Sequence, residues 1–198
     1  MKRNGDTTLK EMSIQPQPVE TGADKQAAPK GIGMAVAFDW GLTVQMLLMP
    51  VLSIFYRSPL LPGGVKLDPK LAIIISFPIF WLIAFLFVLF GEGIRRGVRW
   101  TRPIQIVGNT LGFLGGIVLL VQFLSGMKAG NYWPLVAVVI LCIFSPLIAW
   151  RLSRPETARW FATVTSAEAR KRHGGSWIWK IALWSIVGGT LQALSVFH

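Results

Sequence analysis

Acidic side chains and reactive side chains are both scarce in this chain. Its 198 residues include nine Asp and Glu against 20 Lys and Arg, with two His, two Tyr and one Cys. A single cysteine, Cys142, excludes an intramolecular disulfide, and with two distant histidines it cannot build a metal cluster. It lies within an apolar run and reads as a packing residue, so neither metal nor cofactor is expected. Serine-hydrolase, zinc-protease, phosphate-loop and dinucleotide signatures are all missing. That leaves an enzyme as the weaker expectation. Charged residues make up 15% of the chain, against roughly 25% in a soluble domain. So little polar surface cannot cover a soluble fold of this size. The basic start Met1-Lys2-Arg3 precedes no apolar run, so no cleavable signal peptide is expected.

What is plentiful is apolar sequence. Five runs, 35–56, 71–90, 104–124, 133–150 and 177–197, each approach the roughly 20 residues that carry a helix across about 30 Å of hydrocarbon. The predicted fold class is an all-α polytopic membrane protein, with five transmembrane helices in a bundle. Trp40, Trp81, Trp100, Trp133, Trp150, Trp177 and Trp179 fall near the ends of these runs, where an amphipathic ring sits at headgroup level. Residues 1–33 are polar and carry Pro16, Pro18 and Pro29; they read as a disordered cytoplasmic tail.

A net charge of +11 would point to nucleic acid in a soluble protein. Here the basic residues lie between the apolar runs, so the bilayer is the expected partner and nucleic acid is not. The N-terminal tail holds five Lys and Arg, 95–102 four and 151–172 six, against three in 57–70 and one at Lys128. The positive-inside rule then places the tail and both Arg-rich connectors in the cytoplasm. With five crossings the C-terminus lies outside. Composition of this kind suits a bacterial cytoplasmic membrane. Pro50 within the first run leaves a re-entrant segment as the alternative to a full crossing.

In the third run Gln105, Gly108, Asn109, Gly112, Gly115 and Gly116 share one helix face. Glycines spaced in this way let a neighbouring backbone approach closely. The fifth run offers a matching face in Ser185, Gly188, Gly189 and Gln192. These two faces predict an interior lined by the first, third and fifth runs, with the second and fourth outside. Pro78 and Pro146 predict kinks, with Ser145 bonding a carbonyl freed by Pro146.

The connectors carry capping signals. Ser153-Arg154-Pro155-Glu156 and Thr165-Ser166-Ala167-Glu168 predict two short helices on the inner membrane surface. Trp160 and Phe161 would then dip towards lipid. Arg170, Lys171 and Arg172, with Arg95, Arg99 and Arg102 from the other connector, would face anionic headgroups at about 1 kcal/mol each.

Ionisable groups inside a membrane are the default functional candidates. Asp39, Gln105, Asn109 and Lys180 fall at one depth on three runs. They predict a polar cluster at the inner mouth of the bundle, with Asp39 close enough to Lys180 to pair. The competing reading leaves Asp39 at a helix start and Lys180 snorkelling to the interface. The function expected is a non-enzymatic accessory or scaffold subunit acting through helix–helix contacts, with another membrane protein as its partner. One alternative is a small transporter component with a polar inner mouth. A second is a lipid-modifying enzyme, which has only the basic connectors behind it.

Overall fold

The computed structural model describes residues 29, 31–56, 68–127, 130 and 132–197, and there the chain is helical with no strand. The tail predicted over 1–33 lies outside the described residues except at 29 and 31–33, where Ile32 and Gly33 already belong to the first helix. Among the described residues seven helices follow in order: α1 (Ile32–Tyr56), α2 (Pro69–Arg95), α3 (Thr101–Gly126), α4 (Pro134–Ser153), α5 (Pro155–Thr163), α6 (Ser166–Arg172) and α7 (Ser176–Ser195). The helices α1 to α4 are long and apolar enough to cross a membrane, which makes this an integral membrane protein. The fifth long helix, α7, has 20 residues but falls outside that set, because Lys180, Gln192 and its serines dilute its apolar side chains.

Local chemistry accounts for the ends and breaks. Asp68 opens α2 by accepting from the backbone N–H groups of Lys70 and Leu71, with Pro69 in the first turn. Thr165 opens α6 by accepting from Glu168 N at 3.3 Å. The other capping signal fails. Ser153 ends α4 by donating back to Ala149 O at 2.7 Å, and Arg154 starts α5 without a side-chain cap. In α4 Pro146 lacks the N–H that would bond residue 142, and the helix widens to a π turn over Ile140–Phe144. Ser145 N bonds Ile140 O instead. Its hydroxyl is buried and bonds nothing, contrary to the expectation that it would take up a freed carbonyl.

Packing differs from the predicted arrangement. The centre is α1, held between α2 and α7, while α3 packs against α4 and not α7. A short connection makes α3 and α4 antiparallel neighbours, and Gly112 and Gly116 serve that pair. A Cβ at Gly116 would lie 2.7 Å from Leu141 Cβ and 3.0 Å from Cys142 Sγ. Gly108 and Gly115, on the adjoining flank, meet nothing within 4 Å. The small face of α7 serves α1 in the same way. Gly189 stacks on Gly41, and Ser185 Oγ donates to Ala37 O at 3.1 Å. Gly188 faces open space. As expected, α2 lies at the edge of the bundle, but its surface is not lipid-like all round, because Ala72, Ser76, Ala84 and Gly91 form a buried seam against α1. Small residues let backbones approach where lipid supplies no hydrophobic drive between helices.

The start of α1, the end of α2, the start of α3, the end of α4 and the start of α7 meet at one end, which the arginine-rich connectors cover. The core there joins Ile32, Ala35 and Val36 of α1 to Ile94, Ile148 and Leu152, and closes with Trp160, Phe161 and Ala169 of α5 and α6. Trp160 and Phe161 are each 2% exposed. They point into the protein, not towards lipid, because the helices that carry them fold beneath the bundle as a lid.

Gly189→Ala is expected to destabilise the detergent-solubilised protein by about 1–3 kcal/mol, since its Cβ would strike the Gly41 carbonyl and lie 2.7 Å from Val44 Cβ. Gly115→Ala should stay within about 0.5 kcal/mol of wild type. Equal losses in thermal unfolding would contradict this packing.

Candidate functional site

One turn inside the covered end, α1 turns Asp39 and Thr43 towards α2 and α3. Gly91 of α2 makes room: a Cβ there would sit 2.8 Å from the Trp40 ring and 3.1 Å from Asp39 Cβ. Gln105 of α3 donates through Nε2 to Asp39 Oδ1, and Asn109 Nδ2 donates to Gln105 O at 2.8 Å. Thr43 Oγ1 lies 3.0 Å from Asp39 O and 3.4 Å from Ala84 O, which ties α1 to α2. Asp39 is 1% exposed. Three of the four expected cluster residues therefore come together.

Lys180 does not join them. It is exposed on the outer face of α7 beside Trp179, which is 77% exposed. The reason is rotational. Trp177, Ile181, Ser185 and Gly189 are the side of α7 that meets α1, and that register turns Lys180 outward. The predicted Asp39–Lys180 pair is not formed.

Three buried oxygens of this region have no hydrogen-bond partner: Asp39 Oδ2, Asn109 Oδ1 and Ser145 Oγ. They come from α1, α3 and α4. A leftover buried acceptor is costly, and what such oxygens can take is a donor or a small cation. Among the described residues no group of three His, Cys, Asp or Glu is arranged to hold a metal ion.

Three of the six basic residues predicted to meet headgroups are tied to helix ends. Arg95 Nε and NH2 grip Glu92, each at 2.6 Å, and Arg95 NH1 donates to His173 O at 3.1 Å. Arg99 NH2 donates to Ala162 O, and Arg102 Nε to Leu152 O at 2.8 Å. Leu152 and Ala162 lie in the last turns of α4 and α5, and His173 immediately follows α6. Each arginine thus satisfies a carbonyl left over at a different helix C-terminus, where the dipole also favours a cation. Gly97 makes the turn between α2 and α3 at φ +69°, and a Cβ there would lie 2.5 Å from Val164 Cγ1. Of the other three, Arg170 and Lys171 are exposed and Arg172 pairs with Glu168.

Sequence reasoning missed this role for the arginines, and missed His173 with it. The His173 ring is buried between Trp160 and Trp177, with centroids at 5.8 and 4.8 Å. Its Nδ1–H donates to Arg95 O at 3.2 Å, because a carbonyl can only accept. Burial pushes the imidazole below its ordinary value. The Arg95 carbonyl opposes that shift, while the charges of Arg95 and Arg172 add to it. The spacing Arg95, Arg99, Arg102 was visible, but not which carbonyls it would meet.

No protein-family model matches the chain, and no curated protein and no solved structure matches it. Geometry alone carries the functional reading.

Two outcomes are expected. A double-mutant cycle on Asp39→Ala and Gln105→Ala should give a coupling of about 0.6–2 kcal/mol, whereas Asp39→Ala and Lys180→Met should be additive. Reversed couplings would contradict the cluster. Because folding holds His173 below its ordinary pKa of 6.5, the unfolded chain binds more protons as pH falls through that value. Stability should therefore fall as pH drops below that value, and His173→Gln should remove this component from the thermal melts.

Proposed function

We propose that this protein is a non-enzymatic membrane subunit that holds another membrane protein through helix–helix contacts. The observation that carries the reading is the open flank of α3. Gly108 and Gly115 meet nothing within 4 Å, and Val107, Leu111, Leu114 and Val118 around them are exposed. On the neighbouring face, Gly112 and Gly116 already take up a helix from within the chain. A flank of the same composition left vacant is built to accept a helix from elsewhere.

The placement proposed with it is five crossings, the N-terminus and arginine-rich connectors in the cytoplasm and the C-terminus outside, in a bacterial cytoplasmic membrane. Support for the fifth crossing comes from α7 running parallel to α1 along its length. Trp177 packs on Gly33 at one end, and the rings of Tyr56 and Phe197 stack at 5.1 Å at the other. A helix flanking α1 over that distance crosses wherever α1 crosses. The orientation rests on the surplus of Lys and Arg at the covered end.

A second reading, a small transporter component, draws on one observation: the unpartnered oxygens of Asp39, Asn109 and Ser145 inside the bundle. Alone it is the weaker reading, since these groups lie under a closed lid of buried aromatic residues.

Purification from native membranes in mild detergent should yield a second membrane polypeptide by mass spectrometry. Gly115→Leu and Gly108→Leu should lower its recovery about tenfold or more without changing helix content or the melting transition. Recovery of the wild type as a lone monomer, or of both variants with the partner undiminished, would contradict the proposal.

A further inference from the structure

A cleft of about 520 Å³ opens sideways between α1, α4 and α7, on a different side of the bundle from the α3 flank. Its walls include Phe38 and Gly41 of α1, Phe144 and Ile148 of α4, and Trp184 and Gly188 of α7. Along α7 it extends from Ile181 to Gln192, which is roughly 16 Å at about 1.5 Å per residue. The shape is long and narrow, and it runs along the helices. Apart from the indole of Trp184, Gln192 at the end away from the lid brings the one polar side chain among the lining residues. A compact polar ligand has nothing to bond to here, whereas a hydrocarbon chain fits both the length and the wall.

Beyond the other end of the cleft, past its lining residues, stands a charge. One turn beyond Ile148, the stem of Arg151 lies across Gly31, with its Cβ, Cγ and Cδ at 2.8, 3.2 and 3.6 Å from where a Cβ of Gly31 would stand. Arg151 Nε is buried without a hydrogen-bond partner, and the guanidinium of this partly buried residue lies 5.2 Å from the Trp150 ring centroid. Arg154 lies over the same ring at 4.1 Å. Arg95, Arg99 and Arg102 are taken up by helix ends and Arg96 by Glu92. Arg151, one turn past Ile148 on α4 and two residues from the lining residue Gly33 through its contact with Gly31, is left with donors to offer. A guanidinium beside an aromatic ring is well suited to a phosphate.

We infer that this cleft holds one acyl chain of an anionic phospholipid, with the lipid phosphate against Arg151. The chain lies along α7 from Ile181 towards Gln192, and the headgroup sits at the level of Trp150 and Trp177. Charge complementarity selects this occupant over a partner helix or a second copy, since an apolar helix would leave the Arg151 donors unanswered. The site is independent of the α3 flank, so its failure would leave the subunit reading standing.

Native mass spectrometry of the full-length protein, titrated with phosphatidylglycerol and phosphatidylcholine of identical chains, tests the inference. The wild type should retain one lipid per chain and prefer phosphatidylglycerol about tenfold or more. Gly188→Leu should lose both lipids about tenfold, because Gly188 lines the cleft and a side chain there fills it without meeting protein. Arg151→Gln should keep the chain-dependent binding and drop the preference to about twofold or less. If Gly188→Leu does not elute as folded, Val187→Phe, at an exposed position on the same wall, gives the same readout. Wild type without retained lipid, Gly188→Leu or Val187→Phe binding as wild type, or an unchanged preference in Arg151→Gln would overturn it. So would release of a polypeptide, in place of lipid, by Gly188→Leu.

Discussion

Three arginine–carbonyl hydrogen bonds hold the covered end of this molecule together. Every helix ends with carbonyls that its own backbone cannot satisfy, and here α4, α5 and α6 end close to one another beneath the bundle. The turn between α2 and α3 sends Arg102, Arg99 and Arg95 to those three ends in succession. Each bond combines a charged donor with the negative end of a helix dipole, and a charge-assisted hydrogen bond contributes about 1.5–3 kcal/mol. Because the turn between α2 and α3 and the two helix ends beside it supply all three, the lid formed by α5 and α6 is fixed to the same point that joins α2 to α3. Trp160 and Phe161 then close over Ile32, Val36 and Ile94, and Asp39 and Gln105 are brought to a common depth just above.

From that end the bundle divides. The α1, α2 and α7 group and the α3–α4 pair are each packed through small residues, Gly41 on Gly189 in one and Gly116 on Leu141 in the other. Between the groups contact is sparser: the end of α2 meets the start of α3 near the lid, and the first turns of α4 meet α7 at the opposite end. Helix association in lipid depends on close backbone approach and a few polar links, not on hydrophobic burial, so surfaces without small residues stay apart. The result is a protein capped by a lid at one end, with a lateral apolar cleft on one side and a vacant glycine flank on the other. Both functional proposals follow from that asymmetry, one on each surface.

Much of the helical layout was legible in the sequence, because crossing a bilayer leaves apolar runs of fixed length. The helices exceed those runs by a few residues at the lid end, as α2 does in continuing to Arg95 and α4 to Ser153, since both continue into the capped layer. Rotation was not legible. Lys180 and Asp39 share a depth, and the small face of α7 was visible in Ser185 and Gly189, but that this face meets α1 and not α3, turning Lys180 outward, depends on the Gly41–Gly189 contact, which no local pattern reports. The glycine face of α3 was real but broader than one partner needs, so Gly112 and Gly116 were divided from Gly108 and Gly115 only by where α4 lies. Trp160 and Phe161 were misplaced for a similar reason: an amphipathic connector reads the same whether its apolar side meets lipid or a protein core. The small-residue seam of α2, Ala72, Ser76, Ala84 and Gly91, was overlooked because its apolar surroundings hid it.

Hydrogen–deuterium exchange of the detergent-solubilised protein tests the arginine caps most directly. With Arg99→Gln and Arg102→Gln combined, amides over 155–172 should exchange about tenfold faster or more, while those in the apolar middles of α1, α2 and α7 keep wild-type protection. Unchanged exchange over 155–172, or a uniform loss across all the long helices, would contradict a lid held by these bonds.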